Sequence, residues 1–480
     1  MMERTVVVGG GLAGLAAAAA LAQRGRKVTL LESRSRLGGR AGSFVDGTTG
    51  EVIDNCQHVS MGCCTNLAHF CEAAGLQECF RRERTLNFIG PDGGIHRFSA
   101  GPLPAPLHLL RGLRRIGYLS AGDKWQLARA MQALAREDRS PNHRQTFAAW
   151  LQDHGQSPAL VERFWRVVLV SALSESLDRI AVPAARKVFV DAFLAHRRGW
   201  EVLIPTVPLD ELYGRRVRKW LQADGAIVRL QAGVERLHHN HQRIESVELR
   251  DGETIAADWF ILAVPHDRVG QLLPPELREH PQLAGLTQLE SAPISSVHLW
   301  FDREITSLPH AVLVERLSQW MFNQSVLRPN GGDSTREQTR STSADEHGRR
   351  FAYQIVISAS RNLTERTSAE TIAEVVRELE GIWPEAKRAE LLHSRLVTEH
   401  KAVCSPLPGA EEHRPPQHTP LENLQLAGDW TRTGWPSTME GAVRSGYLAA
   451  ENILAAAGEP ERLVQPDLPV AFLSRVLLGL

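Results

Sequence analysis

The chain lacks a charge imbalance: 55 Lys and Arg stand against 55 Asp and Glu in 480 residues. A nucleic-acid partner normally leaves a basic excess, so none is expected. Cysteine is scarce, at 6 residues, too few for a secreted disulfide scaffold. The expected setting is therefore reduced and cytoplasmic. No stretch has the roughly 20 unbroken apolar residues of a membrane helix. The nearest candidate, residues 5–22, reads TVVVGGGLAGLAAAAALA and is interrupted by Gly9, Gly10 and Gly11. A signal peptide would carry a positive start and an unbroken apolar core. This segment reads instead as a buried strand, a turn and a buried helix. A hydrophobic content of 43% and a charged content of 23% exclude disorder and collagen-like structure. The length implies two domains or one large elaborated domain.

What is present begins at that turn. Residues 5–8 read as a parallel strand, and Gly9, Gly11 and Gly14 fit G-x-G-x-x-G. Residues 15–23 follow as a helix and residues 27–31 as a second strand, ending at Glu32. Gly9 permits the tight turn, Gly11 lets backbone approach a pyrophosphate, and Gly14 lets helix pack on strand. The helix N-terminus, at Leu12 and Ala13, offers free N–H groups and partial positive charge to phosphates. Glu32 stands where a carboxylate can bond the ribose hydroxyls of an adenosine half. A glycine-rich turn without a ligand would not account for Glu32.

Beyond Glu32 come Ser33, Arg34, Ser35, Arg36, Leu37, Gly38, Gly39 and Arg40. This resembles the R-x-G-G-R extension of the amine oxidase and phytoene desaturase superfamily of FAD proteins. The resemblance implies FAD rather than NAD, with Glu32, Ser33, Arg34, Gly39 and Arg40 beside it. Arg40 could supply a charge-assisted contact near the pyrophosphate. Near the other end, residues 424–427 read as a short strand, followed by Gly428 and Asp429. A helix pattern starts near Thr438, Met439 and Glu440. In the superfamily such a unit closes the FAD site, and the helix N-terminus faces the flavin ring, where reduced flavin carries negative charge. Gly441, Ala442, Ser445, Gly446, Ala449 and Ala450 form a small-residue face suited to close packing on the alanine-rich first helix. Strands are expected over 226–237, 243–250 and 258–264, with Val234 implied as a backbone contact to adenine.

Two further stretches narrow the likeness. Asp54, Asn55, Cys56, Gln57, His58 through Gly62, Cys63 and Cys64, and residues 426–442, resemble the squalene-associated FAD-dependent desaturase group. That group usually has glycine where Cys56 stands. The resemblance covers about residues 5–455. It implies a hydroxysqualene dehydroxylase: loss of water from hydroxysqualene to an allylic cation, then hydride delivery from reduced flavin N5, giving squalene in bacterial squalene and hopanoid synthesis. His58 and Gln57 are the candidates for contact with the reacting group, and Glu440 for the cofactor. A carotenoid-type polyene desaturase or isomerase is the nearest alternative. A non-enzymatic prenyl-lipid escort of the GDP-dissociation-inhibitor type is another.

The expected fold is a Rossmann-type FAD-binding domain with a parallel sheet, assembled from residues 1–93, 199–270 and 394–465. A mixed substrate domain with a helical part takes 94–198 and 271–393, with a polar surface insertion at 330–350. An apolar tail follows at 466–480. Residues 103–119 mix leucines with Arg111, Arg114 and Arg115 and contain no acid, which suits either a membrane-surface helix or a bundle helix with a basic edge. The tail is expected to pack on the body or touch lipid, so membrane contact, if made, is peripheral. The cysteines at 56, 63, 64, 71 and 79 lack any C-x-x-C pair, and no metal is expected. No second G-x-G-x-x-G is evident, so electrons would come from an external reductant or exchanged reduced flavin.

Overall fold

A computed structural model describes residues 3–137, 140, 144–240, 242–329 and 350–480. The polar segment 330–349 lies outside the described residues. A five-stranded sheet organises the cofactor domain, in the order Ile227–Arg229, Lys27–Leu31, Arg4–Val8, Trp259–Leu262 and Leu424–Leu426. Every pairing in it is parallel. The register places Val8 opposite both Leu31 and Leu262, and Leu262 opposite Leu426. The strands therefore end together. Gly9, Glu32, Ala263 and Ala427 follow in one row along the edge where such sheets bind ligands.

The first helix, Leu12–Ala22, is buried along its entire length. Its sequence explains this: it is apolar on every side, as a helix packed on both faces must be. One side rests on the parallel sheet and the other on the last long helix, Met439–Ala456. The expected small-residue face makes that second contact. A Cβ at Gly446 would lie 2.2 Å from the Ala13 carbonyl oxygen and 2.9 Å from the Ala17 nitrogen.

The expected strand over 226–237 is two strands. Ile227–Arg229 joins the parallel sheet, while Val234–His239 begins an antiparallel sheet with Ile244–Leu249 and Thr254–Ala256. Between them Gln231 takes φ 55°. There the Gln231 and Ala232 N–H groups donate to the carbonyls of Arg34 and Glu32. The contact with the Glu32 turn breaks the strand.

The substrate domain is built on a seven-stranded sheet. Its order is Leu391–Cys404, Ser291–Phe301, Phe351–Ile357, Trp320–Asn323, His310–Leu313, Thr85–Ile89 and Ile95–Ser99. Strand Thr85–Ile89 belongs to it, so the expected division at residue 93 falls inside this sheet. The division at 394 likewise cuts strand Leu391–Cys404. Helical segments between 107 and 194 cover this sheet through a core in which Phe147, Trp165 and Phe189 pack on one another.

Residues 103–119 do not form one helix. They contain two short pieces, Leu107–Leu109 and Leu110–Arg115, with Leu103, Leu110, Arg111, Arg114 and Arg115 exposed. The tail forms helix Phe472–Leu478, anchored by Leu478 against Ala135 and Val190. Among the described residues no helix is long and apolar enough to cross a membrane.

The packing of the first and last long helices is open to a direct test. Gly446→Ala should destabilise the protein by about 1–3 kcal/mol, because its methyl group meets backbone. Gly270→Ala, on helix His266–Leu272 with nothing within 4 Å of the new methyl, should be neutral or slightly stabilising. Denaturant unfolding of both variants measures the contrast.

Candidate cofactor and substrate site

The glycine turn is shaped by contacts that admit no side chain. Gly9 has φ +112°, and a Cβ there would lie 2.4 Å from the Ala263 carbonyl oxygen. A Cβ at Gly14 would lie 1.9 Å from the Gly9 carbonyl oxygen. Gly11 differs: a Cβ there would meet nothing within 4 Å. It caps the first helix with no side-chain hydrogen bond and no acid in the first turn. The space beside Gly11, at the start of the first helix, is therefore open, as a pyrophosphate cradle requires. Gly39 lies against it, where a Cβ would come 3.1 Å from the Gly11 Cα.

Glu32 is buried at the end of its strand, 7% exposed. Its Oε2 accepts from the Gly10 N–H at 2.8 Å, and its Oε1 from the Arg34 N–H at 2.7 Å and the Ser33 hydroxyl at 3.2 Å. The carboxylate thus joins the glycine turn to the Ser33–Arg34 bend and retains lone pairs for ribose hydroxyls. The Arg34 side chain is exposed, so its contribution here is its backbone N–H. Val234 comes to the same corner: the carbonyl of neighbouring Gly233 accepts from the Arg250 N–H, and Ala232 is bonded to the Glu32 carbonyl.

The second half of the site is drawn together by an ion pair. Arg40 Nη2 donates to Asp429 Oδ1, and the Ser437 hydroxyl donates to Asp429 Oδ2. Arg40 Nη1 donates to the Ala402 carbonyl at 2.8 Å. Burial alone would raise the Asp429 carboxyl, but the Arg40 charge and the Ser437 hydroxyl outweigh it and hold it below the usual carboxylate range. Gly428 donates its N–H to the Ser445 hydroxyl, which fixes the preceding turn against the last helix. Thr438 caps that helix by accepting from the Gly441 N–H, and Met439 is its first residue. Arg414, unsignalled by its sequence surroundings, donates to the carbonyls of Asp429, Trp430 and Trp435 and so holds this loop.

Glu440 is turned to another task. Its carboxylate accepts from the Asn66 and Leu67 N–H groups and the Asn66 side chain, capping helix Thr65–Ala73. Its carboxyl is raised by burial, against these donors. It braces the last helix against helix Thr65–Ala73.

The motif from Asp54 bridges the two domains. Asn55 donates its N–H to the Gly42 carbonyl and its side chain approaches the Arg40 carbonyl. Cys56, Val59 and Met61 pack into the core between the helical layer and the large sheet, with Phe322 and Val356. Asp54 is buried and pairs with Arg328 of the substrate domain. Burial lowers the His58 pKa, and Nδ1 lies 2.9 Å from the Cys56 carbonyl. The ring is thus neutral at pH 7 with Nδ1–H donating, so Nε2 offers a lone pair and His58 is poorly suited to supply a proton. Gln57, by contrast, is 7% exposed and its Oε1 accepts from Gln324 Nε2 at 2.8 Å. The cysteines are buried or half-buried thiols; burial pushes Cys56, Cys71 and Cys404 up to about 12. A cavity of about 720 Å³ adjoins the ion-pair end, lined by Ala184, Lys187, Cys404, Arg414, Trp435 and Ser437 among others.

Two substitutions probe these halves. Glu32→Ala should weaken FAD retention, read by equilibrium dialysis; unchanged affinity would remove its ribose role. Asp429 has a lowered folded-state pKa, so its stabilisation is present above the unfolded value of about 4 and lost as pH falls through the folded one. Asp429→Asn should therefore lower Tm at pH 7, with the gap to wild type narrowing below about pH 4.

Comparison with known proteins places this geometry. The chain is similar to the 15-cis-phytoene desaturase of Solanum lycopersicum, 26% identical over 94% of this chain and 77% of the relative. It is also similar to a probable zeta-carotene desaturase of Synechococcus elongatus, 25% identical over 94% of this chain and 99% of the relative. Among solved structures, an oxidoreductase from Methanosarcina mazei superposes with TM-score 0.68 at 18% identity, covering 94% of this chain and all of that one. The family model described as flavin containing amine oxidoreductase matches residues 12–454. That match spans most of the chain, which belongs to the flavin containing amine oxidoreductase family.

Proposed function

We propose that this FAD-dependent oxidoreductase exchanges a hydride with a long isoprenoid hydrocarbon. The observation that carries the reading is the match, over 94% of this chain, to relatives named phytoene and zeta-carotene desaturases. FAD, when bound, supplies the hydride acceptor or donor. The chain's own residues hold and shield. Gly11 and the first helix would take the pyrophosphate and Glu32 the ribose. The Arg40–Asp429 pair would fix the loop before the last helix. The apolar core around Cys56, Val59, Met61, Phe322 and Val356 would keep water from the isoprenoid.

Two reactions fall within this class. The relatives' names favour removal of hydrogen from a polyene. The motif from Asp54 to Cys64 favours the finer alternative, reductive dehydroxylation of hydroxysqualene to squalene. One feature of the site supports it: the Gln57 side-chain nitrogen is buried without a partner, and a pure hydrocarbon has no group to meet it. His58, neutral with a free lone pair, would orient a hydroxyl rather than protonate it.

The substrate class also gives a reason for the exposed apolar groups on the tail helix. Phe472 is 72% and Val476 62% exposed, beside Arg475. Leu103 flanks the same surface, since Arg197 donates to the Leu103 carbonyl and Ala195 accepts from the Ala471 N–H. With Arg111, Arg114 and Arg115 exposed nearby on the chain, this face suits the surface of an anionic bilayer. Deleting residues 468–480 should reduce sedimentation with phosphatidylglycerol vesicles severalfold. Unchanged sedimentation would remove the tail from membrane contact.

An anaerobic single turnover separates the reactions. Photoreduced holoenzyme mixed with hydroxysqualene should reoxidise with matching squalene if dehydroxylation is correct. Absence of reoxidation, with phytoene or another polyene instead bleaching oxidised holoenzyme, would establish desaturation. A folded protein that takes up no FAD would point to an escort.

A further inference from the structure

The unmatched polar atoms around Gln57 form part of a larger buried chain of amides. Gln324 Nε2 donates to Gln57 Oε1 at 2.8 Å and to Gln354 Oε1 at 3.0 Å. Gln354 is 1% exposed, and its Nε2 donates to the Ser296 hydroxyl at 2.8 Å, with His298 Nε2 at 3.4 Å. Ser296 and His298 are themselves buried on the large sheet, and burial holds the His298 ring neutral, its pKa pushed down to about 4. Two atoms of the chain have no partner: Gln57 Nε2 and Gln324 Oε1.

Reorienting the amides does not remove the mismatch. Gln324 presents one atom to oxygens of two other glutamines, so that atom must be nitrogen. Turning Gln57 alone would set nitrogen against nitrogen. Turning all three exchanges the roles and still leaves one donor and one acceptor. A buried donor or acceptor without a partner costs roughly 1–3 kcal/mol. Cys56, Phe322 and Val356 of the neighbouring core flank the chain on one side, and the buried Asp54–Arg328 pair lies by its His298 end. The two free atoms belong to amides already in hydrogen-bond contact.

A hydroxyl, like a water molecule, both donates and accepts. A carboxylate accepts only, an ammonium donates only, and a hydrocarbon does neither. We propose that Gln57 and Gln324 form a binding pair for the hydroxyl of an isoprenoid alcohol, which accepts from Gln57 Nε2 and donates to Gln324 Oε1. Gln354, Ser296 and His298 are positioning residues that fix the orientation of Gln324. Asn55, bonded to Gly42 two residues before Gln57, ties this pair to the cofactor side. The assignment rests on the isoprenoid reading and names the polar anchor of that substrate.

The test is equilibrium binding to oxidised holoenzyme, followed by perturbation of the flavin spectrum, with hydroxysqualene and squalene as the paired ligands. Wild type should bind the alcohol at least about tenfold more tightly than the hydrocarbon. Gln57→Leu/Gln324→Leu should bring the ratio near one with squalene binding retained. Gln324→Met, a milder change, should reduce the ratio while FAD retention confirms folding. Equal affinities in wild type would overturn the proposal. So would a preference that persists in variants retaining FAD. A wild-type preference lost in the variants, but without turnover of the alcohol, would leave the binding pair standing and remove the dehydroxylase reading instead.

Discussion

The Arg40–Asp429 ion pair is the contact on which the cofactor end depends. It joins residues 389 positions apart and sits where two loops meet the end of a strand. Asp429 is buried and Arg40 part-exposed; taking charge out of water is expensive, and such a pair is weak evidence for stability in itself. Here the surrounding donors and acceptors make it specific. Ser437 and Arg40 engage the two carboxylate oxygens, Ala402 accepts from the guanidinium, and Arg414 grips the Asp429 carbonyl. The second glycine loop, the end of the long strand of the substrate sheet and the loop before the last helix are thereby fixed together. A displacement of either loop would leave the buried Asp429 carboxylate without its guanidinium.

The same logic recurs with different chemistry at the domain junction. Asp54 and Arg328 form a second, more deeply buried pair, with the Ser43 hydroxyl and the Leu209 N–H completing the aspartate's partners. Glu440 does for helix Thr65–Ala73 what a local cap would normally do, from 374 residues away. These buried carboxylates each register chain segments that are distant in sequence. Between them lie apolar contacts and a short run of neutral amides.

The cofactor half was largely legible because its signals are local. Strand, glycine turn, helix and terminal Glu32 occur within about thirty residues, and their spacing follows from backbone geometry. The small face of residues 441–450 was readable as a packing surface, since only small side chains allow two helices so close. The substrate half was not legible in the same way. Its seven-stranded sheet gathers Thr85–Ile89 with strands more than 200 residues later, which no local periodicity reports. The break at Gln231 comes from tertiary bonds to the Glu32 turn. Glu440 looked like an acid at a helix start and is a cap for a different helix. Gln324, Gln354, Arg328 and Arg414 carry no motif, and their roles exist only through partners distant in sequence.

The parallel sheet has a consequence for how the protein is made. Its first two strands and the first helix leave the ribosome early, but their neighbours Trp259–Leu262 and Leu424–Leu426 and the covering helix Met439–Ala456 come much later. At roughly 5–20 residues per second, the interval is on the order of tens of seconds. Throughout it, an alanine-rich helix destined to be buried on all sides has only part of its cover, and a strand edge stays open. The nascent chain is thus a natural client for chaperones that shield apolar surface, and translation stopping short of the last long helix would yield an aggregation-prone fragment rather than a smaller working domain.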